Sequence, residues 1–122
     1  MLIYTYSNLY DPAMPVLDVS ISGRSDSVGV TLTAVVDSGA DATMIPASIL
    51  QDVAVRSSET RWLRGVAGGR YRVSLYPVYI VVGDFGAYIP VVGDPVGNEV
   101  ILGRDVLNQL RVTLDGRPKF WN

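Results

Sequence analysis

Cysteine and histidine are both absent from the 122 residues. Without cysteine there are no disulfides, no thiol nucleophile and no iron–sulfur or thiolate–zinc site. Without histidine the Ser-His-Asp and Cys-His triads are excluded, together with nearly all catalytic zinc designs. Any hydrolytic proton transfer therefore falls to carboxylates. No metal or cofactor is expected. Long apolar runs are lacking too. The most apolar window, Tyr76–Gly93, is interrupted by Pro77, Gly83, Asp84, Gly86 and Pro90, so it is not a membrane-spanning helix. The chain does not open on a basic stretch followed by an apolar one, so no signal peptide is read. A cytoplasmic location without a membrane partner is the expectation. Charge is modest, with 10 Lys and Arg against 12 Asp and Glu, and no basic run points to nucleic acid.

Apolar residues make up 48% of the chain, enough for a core, and the length suits one domain over residues 1–122. A domain this small is marginal unless a partner adds buried surface. Short strand signals dominate. Val16–Ile21 ends at Ser22-Gly23, and Arg24–Ser27 reads as a turn. Val28–Val36 alternates, with Val28, Val30, Leu32, Ala34 and Val36 on one face, the pattern of a half-buried strand. Pro46–Leu50 suits one helical turn with proline near its start. Trp62–Val82 reads as two strands around the glycine-rich tip Gly65–Gly69. Tyr88–Val92 and Val100–Leu102 follow as strands. Val106, Leu107 and Leu110 lie at helical spacing, so a short helix is expected over Arg104–Leu110. Arg111–Leu114 and Lys119–Asn122 are the last expected strands. The fold class is all-β with one short C-terminal helix.

One stretch carries chemistry. Leu32–Pro46 begins as an apolar strand and breaks into Asp37-Ser38-Gly39-Ala40-Asp41, two carboxylates four residues apart at the end of a core run. Asp, Ser and Gly are ordinary turn residues, so the tripeptide alone specifies only a β-turn. Its surroundings add more. Ala34-Val35-Val36 puts Asp37 at the mouth of the core, and Ala40–Ile45 returns at once to strand character. A second apolar run, Val100-Ile101-Leu102, ends in Gly103-Arg104-Asp105 just before the helix.

AVVDSGADATMIP together with VILGRDVLNQL resembles the retropepsin-like aspartic proteases, the single-domain family that includes the retroviral enzymes. The ordered match spans about Leu32–Leu114. The resemblance implies a closed β-barrel or sandwich with a glycine-rich flap hairpin, active as a two-fold homodimer on a peptide or protein substrate. It implies that Asp37 is catalytic and that Ser38 and Gly39 shape the active-site loop. Ala40, Asp41, Ala42, Gly65, Val66, Ala67 and Ile101 would bind substrate. Asp41 would pair with Arg104, whose planar guanidinium suits a carboxylate. Asp105 would cap or charge-stabilise the helix N-terminus without a catalytic part. Peptide hydrolysis by carboxylates needs two of them, and this chain has one Asp-Ser-Gly, so the second comes from a partner chain. The terminal segments Met1–Tyr6 and Lys119–Asn122 are the expected interface strands. Met1 and the lack of a flanking polyprotein set the expectation of a free-standing cellular or bacterial member.

Two other readings stay open on the residues. One is a dimeric peptide-binding module on the same fold with little or no turnover. The other is a structural β-domain in which Asp37 is only a turn residue. Trp62, Tyr71 and Tyr76 are substrate contacts or strand packing. Arg64, Arg70 and Arg72 either select acidic or polar peptide side chains or form a solvated hairpin face. Asn98 and Glu99 line an outer pocket, and Met44 its wall, or they serve only the fold.

Overall fold

Strand order in this molecule follows from a crossing. The computed structural model describes residues 2–64 and 68–117, with Arg64 in its backbone alone. Val16–Ser22 (β1) runs antiparallel to Val30–Val36 (β2), with Val16 opposite Val35 and Ile21 opposite Val30. The next strand in the chain, Met44–Pro46 (β3), does not pair with β2. Val100–Leu102 (β7) lies between them, parallel to β2 and antiparallel to β3. The connection from β2 to β3 must therefore pass over the end of β7. That crossing brings the residues after Asp37 against Gly103-Arg104.

Glu59–Arg64 (β4), Arg70–Val82 (β5) and Phe85–Asp94 (β6) complete the sheet. β3 runs parallel to β6, β6 antiparallel to β5, and β5 returns to β1 through Ile21–Ile80 and its neighbours. Six strands, β1-β2-β7-β3-β6-β5, thus close into a barrel, with β4 outside it on the free flank of β5. Closure removes the open edges that a small sheet would otherwise expose. The inside is filled by Val19, Ile21, Ala34, Ile45, Val78, Ile80, Val91 and Leu102. Leu50 and Val106 add to the same core from the helices Ala47–Asp52 (α1) and Arg104–Leu107 (α2). β5 changes character along its length. Arg70–Arg72 are exposed beside β4, whereas Leu75, Val78, Ile80 and Val82 are buried in the barrel.

The expected all-β closed barrel is what forms, with corrections in detail. Val28 is 100% exposed and β2 starts only at Val30, while Ala34, Val35 and Val36 are all buried. Strict alternation fails because the end of β2 is flanked by β1 and β7 and covered on both faces. Two short helices form among the described residues, one at the expected helical turn after Pro46 and one after Gly103. α2 stops at Leu107, and looser i→i+3 turns carry the chain on to Leu110. Arg111–Leu114 forms no strand. Strand propensity needs a partner edge, and the described part of one chain offers none there. The expected strand Lys119–Asn122 lies outside the described residues.

Candidate active site

Asp37 is half-buried at the end of β2. Its N–H donates to the Leu102 carbonyl at 3.0 Å, which extends the β2–β7 pairing by one residue. Its Oδ1 accepts the Gly39 N–H at 2.9 Å, and its carbonyl accepts the Ala40 N–H at 3.2 Å. The carboxylate therefore ends a strand and closes a tight turn at the same time. Oδ2 has no hydrogen-bond partner among the described residues. Taken alone this is the Asx-turn geometry that Asp adopts in many loops. What sets it apart is how firmly the turn is held from outside.

Arg104 does that holding. Its N–H donates to the Ala40 carbonyl at 2.9 Å, and one guanidinium nitrogen reaches the Ser38 carbonyl at 3.2 Å. Another guanidinium nitrogen pairs with the Asp41 carboxylate. Three bonds from one residue thus span Ser38 to Asp41. The pair is not buried in the single chain: the Asp41 side chain is 87% exposed and that of Arg104 45%. Gly103 sits against the same loop. A Cβ there would lie 2.6 Å from the Ala42 carbonyl carbon, so only glycine lets the two backbones meet.

A second set of bonds, not anticipated from the sequence, lies beneath the loop. Thr43 is fully buried. Its N–H and hydroxyl donate to the two oxygens of Asp105, at 3.0 and 2.7 Å. Its Oγ1 accepts the Gly103 N–H at 3.1 Å. Asp105 also accepts the N–H of Val106 at 2.9 Å; it lies within the first turn of α2, whose N-cap is Gly103, so it adds acidic charge there and is not the cap. The threonine two residues after Asp41 and the acid after Gly-Arg were the only signals for this network. Nothing local joins residues 62 positions apart.

The remaining candidates are placed as follows. Ala40 and Ala42 are half-buried in the loop, and Ser38 and Gly39 are exposed. Ile101 is half-buried between Val35 and Met44 on the neighbouring strands. Gly65, Val66 and Ala67 lie outside the described residues. Tyr76 packs on the core, while Trp62 and Tyr71 are exposed. Glu99 accepts the Tyr10 hydroxyl at 2.6 Å, and that bond raises the Tyr10 pKa. Hydrogen bonds from Arg117 lower Asp115 to about 2. Among the described residues no group of acids is arranged to hold a metal ion.

Comparison with known proteins decides what this loop is part of. A retroviral aspartyl protease family model matches residues 12–115, which include the whole Asp37 loop and Gly103-Arg104. The chain belongs to the retroviral aspartyl protease family. Its barrel is similar to that of the EIAV protease solved in complex with the inhibitor HBY-793, at a TM-score of 0.62 and 21% identity. The alignment covers 91% of this chain and 100% of that one. A search of curated proteins finds no match. Family membership gives the β2–β3 crossing over β7 a context that turn chemistry alone does not supply. No helix among the described residues is long and apolar enough to cross a membrane.

Proposed function

We infer that residues 1–122 act as one retropepsin-like domain, an aspartic endopeptidase working as a homodimer in the cytoplasm. The observation that carries this reading is the family match across the Asp37 loop. Asp37 would meet its counterpart on a two-fold axis. In aspartic proteases generally, two carboxylates in contact share one proton. One takes a proton from water as it attacks the peptide carbonyl, and the other gives a proton to the carbonyl oxygen. Ser38 would tie the two loops together across the axis, and Gly39 would let substrate backbone approach. Ala40, Asp41, Ala42 and Ile101 would line the substrate strand, with Gly65, Val66 and Ala67 above it as a flap. Arg104 would hold the loop through Ser38 and Asp41.

The apolar surface at one end of the barrel supports the dimer. Leu2 and Ile3 are 57% and 72% exposed. Leu2 and Tyr4 share a cavity of about 800 Å³ with Val112 and Leu114, both also exposed. Residues with strand propensity but no strand partner, gathered at one end, suit a second copy supplying the missing edge.

The test is Asp37→Asn. It keeps the shape and hydrogen-bonding capacity but cannot accept the proton from water. Cleavage of a peptide library should vanish, with folding intact by circular dichroism. Wild-type activity should follow a bell in pH on the acid side of neutrality, because the chain has no histidine or cysteine to titrate near pH 7. Cleavage by Asp37→Asn at the wild-type rate would overturn the reading. A wild type that binds peptides as a dimer and cuts none would make the domain a binding module.

A further inference from the structure

The β4–β5 hairpin departs in charge from the rest of the chain. Residues 59–72 hold four arginines against one acid, a net +3 in a chain whose total is −2. The single acid, Glu59, is taken up by Arg61 at 3.4 Å. Arg70 and Arg72 have no carboxylate partner among the described residues. They do have an aromatic neighbour. Trp62 pairs directly with Arg72 across the ladder, so the two side chains share a face. Arg70, two residues along β5, shares that face, and its guanidinium stands 5.1 Å from the Trp62 ring centroid. Trp62 is 55% exposed, so the face is open.

Protection of an exposed edge accounts for charge here, but not for the stacking of Arg70 on Trp62 or for the use of arginine throughout. β4 is the outer strand, and a charge on β4 is enough to discourage edge pairing. Arg70 and Arg72 lie on the part of β5 that pairs with β4 alone, since β6 joins β5 only from Leu75 onward, so charge there discourages edge pairing as well. The hairpin also contains no lysine. Arginine with its planar fork is the side chain suited to a carboxylate held in a fixed orientation. The Trp62 ring limits the freedom of Arg70 before anything binds, so less order is lost on contact.

We propose that the Trp62–Arg70–Arg72 face recognises an acidic, extended polypeptide segment with carboxylates at every second position, carried by the substrate outside the bond that is cut. The spacing follows from the strand: Arg70 and Arg72 lie two residues apart on one face, and an extended peptide repeats its side chains with the same period. The outer edge of β4, unpaired among the described residues, offers main-chain groups to such a segment. The cleavage part of this inference rests on the peptidase reading above, whereas the binding part does not.

The experiment compares two labelled peptides that share a cleavable core. One carries a Glu-x-Glu-x-Glu flank and the other Gln-x-Gln-x-Gln. Binding is read by anisotropy on the intact Asp37→Asn protein, which leaves the peptides whole. At low salt the acidic peptide should bind roughly 10-fold more tightly, and the gap should close at high salt. The double variant Arg70→Gln/Arg72→Gln should abolish the gap and leave binding of the Gln peptide unchanged. With wild-type protein the acidic flank should lower KM by a similar factor at constant kcat. Equal binding of the two peptides, or a gap that survives the double variant, would overturn the proposal. So would a single-stranded oligonucleotide that competes as well as the acidic peptide. A binding gap without any cleavage would uphold this surface and sink the peptidase reading alone.

Discussion

A single hydroxyl joins the two halves of the candidate site. Thr43 donates to Asp105 and accepts from Gly103, so it ties the start of β3 to the start of α2. Gly103 is buried, Asp105 is half-buried, and Thr43 itself is fully buried. Replacing the hydroxyl by a methyl in Thr43→Val keeps the volume but strands the Gly103 N–H and removes one donor from Asp105. An unmet buried polar group costs about 1–3 kcal/mol, so the variant should unfold at lower urea by that amount with an unchanged slope. Thr43→Ser keeps every bond and should lose about 1 kcal/mol or less, the share of one methyl group. A Thr43→Val protein as stable as wild type would show that the network does not hold the loop.

At the scale of the element, α1 shows how a short helix is bounded. Pro46 starts it, with a fixed φ suited to a helix entry and no N–H to leave unmet. It ends in a double closure: the Val55 N–H donates to the Leu50 carbonyl and the Ala54 N–H to Gln51. This Schellman arrangement puts Ala54 in the left-handed region, at φ 58°. A side chain there costs about 1–2 kcal/mol, part of which glycine gives back through its freer unfolded chain. Ala54→Gly should therefore raise stability by about 0.5–1 kcal/mol, read as a higher urea midpoint. A loss of stability would mean that the turn is held open by contacts of the Ala54 methyl.

For the molecule as a whole, the exposure of the Asp41–Arg104 pair separates folding from assembly. In one chain the pair faces water, and an exposed ion pair contributes about 1 kcal/mol or less. Arg104→Lys keeps the charge and loses the planar grip on Ser38 and Asp41. Dilute monomer should unfold almost as wild type does. If the homodimer covers this pair, self-association should weaken roughly 10-fold or more, seen by sedimentation over a concentration series. High protein concentration should then restore activity by mass action. A variant that stays dimeric at every dilution and is inactive would move Arg104 into the chemistry.

What could be read along the chain was local. The Asp37 turn, the strand before it, the proline at the helix start and the Gly103-Arg104 junction all rest on neighbours within a few residues. There backbone preference and side-chain period act directly. The absence of cysteine and histidine limited the chemistry in the same direct way. The meeting of Asp41 with Arg104 was expected from family resemblance and not from spacing. Partner choice was not legible, because strand pairing depends on residues far apart. Nothing near Leu32–Val36 says that Val100–Leu102 will slip between β2 and β3, or that Val35 will be buried against the alternation. Arg111–Leu114 shows the same limit from the other side: its composition suits a strand, yet the described chain gives it no edge. The sequence by itself determined where the turns fall and which acid ends the core strand. The tertiary structure decided that Thr43 and Asp105 meet, because only closure of the barrel brings residues 62 positions apart to hydrogen-bond distance.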